Sequence, residues 1–338
     1  VLIIFGILII LLVAATIVAK TIFTKEKILA FVLPKIETAL NRKVSVQDAS
    51  LSIWGGIGID VKGLRIENLS GFQEKNFLSL DEFSVRVKFW PLLKKRLELT
   101  KLILDKPTIN LEKKALQITN YSDLLSSSTS PILLPLAFEK FELKEGKFVY
   151  YNSQNNSKIT VSGLNQKGNL NFDQKLNEVF TSGEVAVKNL EIISPKQSKV
   201  YNNPLALEYN LTYNISQDSL DIDKIVLTWN KNKTQIVGKV IEVTKNPQLS
   251  LRIESKEINL ENLLTLLPPD LLKENLKSSG VFSLKASGKW ELKKGFYPTE
   301  LTGNITGRDL KIESPKSPAP IKIPTLEATF DNNNFSFT

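Results

Sequence analysis

The stretch QDSLDID sets Asp218, Asp221 and Asp223 close together, and clustered carboxylates raise the question of a bound calcium ion. The spacing lacks the central glycine and the closing glutamate of an EF-hand loop, so it reads as a solvated strand end, and no metal site is expected. Composition narrows the chemistry further. The chain has no Cys and no His, which removes thiolate nucleophiles, imidazole bases, disulfides and every Cys or His metal site. Carboxylate pairs remain, as in glycoside hydrolysis, but nothing marks a particular pair. Phosphate loops, nucleophile elbows and dinucleotide fingerprints are absent from the sequence. The expectation is a protein that is not an enzyme and uses no cofactor.

Other polar signals read the same way. N-x-S/T triplets begin at Asn68, Asn120, Asn155, Asn210, Asn214, Asn232, Asn304 and Asn334. They could accept glycans in a secreted eukaryotic protein, but in a chain this rich in Asn, Ser and Thr they read as the polar side of strands. Trp54, Trp90, Trp229 and Trp290 each fall within or beside a strand pattern, where core or edge packing accounts for them better than stacking on bases or sugars. The formal charge of +9 is spread along the chain and does not point to nucleic acid. Its densest run, LLKKR with Lys94, Lys95 and Arg96, reads as solvated surface with a lesser role in headgroup contact, worth about 1 kcal/mol per residue beside an anionic leaflet.

The elements that carry these residues fall into three parts. Residues 1–19, VLIIFGILIILLVAATIVA, are uncharged and followed by Lys20. As a helix they would reach about 28 Å, close to the thickness of a bilayer's hydrocarbon core. The run exceeds the apolar region of a cleavable signal peptide and has no A-x-A end, so it is expected to be a retained transmembrane anchor. Lys20, Lys25 and Lys27 do not settle orientation, because long domains translocate largely regardless of such charges. Residues 20–43 form the juxtamembrane part. TKEKILAFVLPKIETALN predicts a helix over 24–41, capped by Thr24 and kinked at Pro34.

From residue 44 to 338 the period changes from 3.6 to 2. In FSVRVKF the residues Phe83, Val85, Val87 and Phe89 share one face, and Ser84, Arg86 and Lys88 the other. LEYNLTYNIS sets Leu207, Tyr209, Leu211, Tyr213 and Ile215 against Glu208, Asn210, Thr212, Asn214 and Ser216. Turn residues punctuate these runs at NSQNNS, NNP, NKNK and KNP, which predicts an antiparallel meander with one wet and one apolar face. NLENLLTLLPPDLLKENL interrupts it with a short helix capped by Asn259, stopped at Pro268 and Pro269, with a second helix capped by Asp270. SSSTSP, Ser126 to Pro131, marks a weak joint. The chain contains no Met and ends on a strand-like NNNFSFT, so it reads as part of a longer protein.

The order of these segments resembles the N-terminal region of the AsmA family. The resemblance rests on the basic NRKVSV entering the first strand, on VKGLRIENLSGF, on the FSVRVKFWPLL strand ending in Pro-Leu-Leu, on ELTKLILDKPTINL with Pro107 between two strands, and on QITNYSDLL. Later segments, KFELKEGKFVYYN, IVGKVIEVTKNPQLSLRIESKEINLENLLTLLP and SGVFSLKASGKW, look similar as well. Lys95 stands where the family often has Gly, and Tyr121 where Trp is common. The resemblance implies a mainly β protein: a single-pass inner-membrane anchor of a two-membrane bacterium, then an elongated, curved periplasmic sheet, a β-groove, with a few short helices. It also implies that an apolar channel carries phospholipids towards the outer membrane, with envelope proteins as further partners. On that reading Phe83, Val85, Val87, Phe89, Leu207, Tyr209, Leu211, Tyr213 and Ile215 face the lipid.

Alternation alone leaves a second architecture open. A closed β-sandwich buries its apolar faces against each other with the same period, and a membrane-tethered sandwich would serve as a scaffold for protein partners through its strand edges.

Overall fold

The computed structural model of the chain describes residues 24–52, 56–88, 90, 98–114, 118–123, 137–173, 175, 177–195, 197–201, 204–266, 276–295, 297–314 and 316–337. The expected anchor over 1–19, Trp54, Phe89, the basic run Lys94, Lys95 and Arg96, the SSSTSP joint and the second leucine-rich helix lie outside these residues.

The helix predicted over 24–41 is α1 (Lys25–Leu40). Thr24 sits at its N-cap in an extended conformation but makes no side-chain cap bond, and Asn41 closes the helix in the left-handed region, with φ 51° and ψ 40°. Beyond it the chain is strand almost throughout and divides into two compact units, one of Val1–Asn171 with Val185–Asn202, the other of Phe172–Glu184 with Asn203–Thr338.

The first unit holds β1 (Val44–Ser45), β2 (Asp48–Ser52), β3 (Ile57–Glu67), β4 (Asn76–Val87), β5 (Glu98–Asp105), β6 (Thr108–Lys113), β7 (Ala137–Asn152), β8 (Ser157–Phe172), β10 (Asn189–Ser194) and β11 (Gln197–Tyr201). β5 and β6 are two halves of one line. Both pair antiparallel with β4, and Lys106 and Pro107 part them, because Pro107 has no amide hydrogen to give a ladder. The expected all-antiparallel sheet is corrected here. β7 runs parallel to both β5 and β6, with Leu102 opposite Phe141 and Ile109 opposite Phe148. A hairpin cannot make a parallel pair, and β6 and β7 are 23 residues apart in sequence, a length that suits a crossover.

In the second unit β12 (Leu205–Asn214), β13 (Ser219–Trp229), β14 (Asn232–Ile241), β15 (Gln248–Asn259), β16 (Lys277–Glu291), β17 (Glu300–Glu313), β18 (Ile321–Phe330) and β19 (Phe335–Phe337) form the predicted antiparallel meander. β9 (Glu178–Val187) pairs with β12. The β13–β14 hairpin turns on Asn230 and Lys231, both at positive φ (45° and 69°), a turn whose twist suits a two-residue hairpin. Asn259 caps α2 (Leu260–Leu266) as expected, its Oδ1 accepting the Glu261 amide at 2.9 Å.

Each unit carries a crease that strict alternation does not foresee. In the first, Gly63, Lys106, Glu145 and Gly163 all adopt positive φ, between 47° and 63°. Register places Gly63 beside Asp81, Asp81 beside Lys106 and Lys106 beside Glu145, so the irregularities run across the sheet as a line. Along it, successive apolar positions are three residues apart instead of two: Val61 and Leu64, Leu80 and Phe83, Leu104 and Pro107. Leu143 and Gly146 show why. A Cβ on Gly146 would lie 2.7 Å from Leu143 Cδ2, so positions three apart share a side there. In the second unit Glu257, Gly280 and Asp309 have positive φ (51°, 100° and 52°), and a Cβ on Gly307 would meet Leu310 Cδ1 at 2.7 Å. Bulges of this kind increase local twist while keeping apolar side chains on one side.

Candidate functional site

Residues opposite one another in a sheet share a face, so register tells which side chains meet. In the first unit Val61, Phe83, Leu104 and Leu143 form one row across four strands, and Ile59, Val85, Leu102 and Phe141 the next. Ile57, Val87, Leu99, Phe138 and Leu170 form a third. Phe83, Val85 and Val87 therefore stand together on an apolar face, as the sequence predicts.

The second unit repeats the arrangement. Tyr213, Leu220, Val240, Leu249 and Trp290 share a row, and Tyr209, Ile225, Ile236, Ile253 and Ala286 another. Leu211 stands with Ile222, Gly238, Leu251 and Gly288, and Leu207 with Leu227. Ile215 lies past the end of β12, in the turn, and is 46% exposed. Tyr213 is anchored at its tip. Its hydroxyl donates to Asp218 Oδ1 at 2.9 Å, which raises the phenol's pKa. Burial would raise the Asp218 carboxyl, but hydrogen bonds from Tyr213 and from the Thr244 hydroxyl and amide override it and hold the carboxyl below its ordinary value. Asp221 instead pairs with Lys239 and Asp223 accepts from Thr212, so the three aspartates of QDSLDID serve three separate partners.

These faces are not closed cores. Phe83, Val85, Val87, Leu207, Tyr209, Leu211 and Tyr213 are all only half-buried, and just thirteen hydrophobic side chains are buried among the described residues. No second sheet occurs among those residues in either unit. Part of the apolar surface is relieved within the sheet itself. Trp290 lies across Gly288 and Phe330 across Gly303, so close that a Cβ on either glycine would come within 2.6 Å and 2.4 Å of the ring. Of the tryptophans, Trp229 is buried and Trp90 is 74% exposed at the end of β4.

The opposite faces are polar. In the second unit they carry cross-strand pairs such as Lys224–Glu208 (2.6 Å), Lys239–Asp221 (3.1 Å) and Lys289–Glu300 (2.8 Å), all well exposed. In the first unit Arg86 grips Asp60 at 2.7 Å, and Ser84 donates to the same carboxylate at 2.6 Å. Burial alone would raise Asp60, but these hydrogen bonds pull it below its usual value.

Two stretches that lie far apart in the sequence, and whose residues carry no chemical signature of their own, meet in the structure. Arg42 of NRKVSV and Asn120 of QITNYSDLL meet at a buried polar hub. Arg42 Nη2 donates to the Asn120 carbonyl (2.6 Å) and to Asp123 (2.8 Å), with its guanidinium 4.3 Å over the Phe77 ring. Asn120 is fully buried: its Oδ1 accepts the Glu112 amide (2.8 Å), and its Nδ2 donates to the Asn110 carbonyl (2.8 Å) and Asn68 Oδ1 (3.2 Å). Two of the N-x-S/T asparagines are buried, Asn120 in this hub and Asn232 with its Oδ1 accepting the Asn259 amide at 3.2 Å.

The class this defines is a sheet protein whose strands hold a half-open apolar face against a charged one. A sequence profile of the AsmA family matches residues 1–264, and the chain belongs to that family. No curated protein and no solved structure matches it.

Proposed function

We propose that this protein is an inner-membrane-anchored, periplasmic lipid carrier whose apolar faces receive phospholipid acyl chains and pass them between the inner and outer membranes, in support of outer-membrane biogenesis. The observation that carries this reading is the row structure: apolar side chains aligned across four to five strands, most of them left half-exposed in both units. Membership of the AsmA family fits it. An acyl chain of about sixteen carbons costs on the order of 12 kcal/mol to expose to water, at about 0.8 kcal/mol per methylene, so crossing an aqueous gap needs such a surface. A headgroup left at the edge would stay hydrated, and Lys94, Lys95 and Arg96 are the proposed contacts for it. The protein acts by binding, with no catalytic residue and no cofactor.

Photo-crosslinking tests the reading. A photoreactive phenylalanine analogue at Leu211 or Val85 should capture phospholipid in cells, and the same analogue at Asn210 or Arg86, on the opposite face, should not. Equal capture from both faces, or none from either, would remove the basis for a lipid carrier and favour the scaffold that binds envelope proteins by strand edges.

A further inference from the structure

On the polar face of the first unit, away from the apolar rows, a cavity of about 180 Å³ opens beside the hub, bounded by Asn68, Asn110, Glu112, Tyr151, Asn156 and Lys158. It has room for roughly six waters at about 30 Å³ each, or for the end group of a small molecule. Glu112, Tyr151 and Lys158 lie side by side on β6, β7 and β8, which fixes their spacing through the backbone ladder.

Glu112 is the unusual member. It is only 5% exposed, yet a single hydrogen bond reaches its side chain among the described residues, from the Gln73 amide to Oε2 at 2.7 Å. A carboxylate removed from water without a cationic partner is costly, and a charge-assisted donor is what offsets that cost. Tyr151 and Asn156 border the same space, the Tyr151 hydroxyl donating to Asn156 Oδ1 at 2.9 Å, so that each oxygen keeps a lone pair for a further donor, whereas Asn68 Oδ1 is already taken by the Leu69 amide and Asn120 Nδ2. Glu74, an exposed residue, also borders it, so acidic lining residues outnumber the one basic residue, Lys158, and an anionic ligand is disfavoured. No group of three or more His, Cys, Asp or Glu side chains that could hold a metal occurs among the described residues, which argues against a divalent ion.

We propose that this cavity binds a primary ammonium group, with its three N–H donors shared between the Glu112 carboxylate and the neighbouring oxygens, as a small free amine or as the headgroup of an aminophospholipid. The recognition is independent of acyl-chain binding, since the cavity is on the other face.

The test uses the full chain in phosphatidylcholine nanodiscs, titrated with ethylammonium chloride by calorimetry and with 1-propanol as the neutral control. Saturable ethylammonium binding, absent for 1-propanol and weakened at least tenfold in Glu112→Gln, is the expected result, and Lys158→Met should bind as well as the unaltered chain or better. Displacement by phosphatidylethanolamine nanodiscs assigns the headgroup as the source, and displacement by free ethanolamine alone assigns a soluble amine. Should Glu112→Gln lose its β-sheet circular dichroism, Tyr151→Phe carries the test, with a loss of about threefold expected. The proposal is overturned by no saturable binding, by a folded Glu112→Gln or Tyr151→Phe that binds unchanged, or by binding that appears only in Lys158→Met, which would make Lys158 the carboxylate's own partner.

Discussion

The two units solve the same problem with different polar chemistry. Both build an apolar face from cross-strand rows, interrupt it with a crease and carry exposed ion pairs, but the first unit adds a buried hub built on a charged side chain. Arg42, Asn120 and Glu112 are nearly or wholly out of water, whereas the partners of Lys224, Lys239 and Lys289 are open to it. The difference is one of concentration: exposed pairs contribute little each, and a buried network is costly to leave half-satisfied.

The sharpest way to break that comparison is Asn120→Ala. It strands the Glu112 amide and the Asn110 carbonyl and takes a donor from Asn68 Oδ1 at once, and should cost about 3 kcal/mol. Hydrogen exchange should show lost protection in β3 to β7 and none in β12 to β15. Equal loss in both units would mean that the hub is not local.

Gly288→Val probes the second unit. Its Cβ would sit 2.6 Å from the Trp290 ring and 3.0 Å from the Glu300 carbonyl, and the resulting strain should cost about 2 kcal/mol by denaturant titration. Leu211→Glu, on the same face but half-exposed, should cost only about 1 kcal/mol, since its carboxylate can reach water. A cost of 4 kcal/mol or more would indicate a closed core, as in a sandwich.

Asp60→Asn separates the units by pH. The folded-state pKa of Asp60 is depressed, so its contribution is present above the ordinary carboxylate range and is lost as pH falls through the lower folded value. The substitution should lower stability at neutral pH by roughly 1 kcal/mol and flatten the acid decline below about pH 4, with the second unit unchanged. The smallest effect belongs to Lys239→Ala, whose exposed pair with Asp221 should be worth no more than about 0.5 kcal/mol, and less in high salt.

Much of this was legible before the structure. Period-2 alternation set Phe83 with Val85 and Leu207 with Tyr209, and Asn259 announced the short helix. The parallel strand β7 was not legible, because alternation reports which side a residue faces and carries no information on strand direction. The creases had a signal that alternation obscures: Val61 and Leu64 are three apart, as are Leu80 and Phe83 on the neighbouring strand, a spacing that marks a bulge once it recurs in this way. The hub had none, because Arg42 and Asn120 are 78 residues apart and each is an unremarkable polar residue in its own segment.

The central claim is that the apolar faces hold lipid. Native mass spectrometry of residues 20–338 purified without detergent, followed by lipid extraction, tests it most directly. The account predicts co-purified phospholipid at defined stoichiometry, lost in Leu211→Glu and in Val87→Asp and kept in Lys239→Glu on the wet face. A folded protein that carries no phospholipid and takes up none when it is added would contradict it.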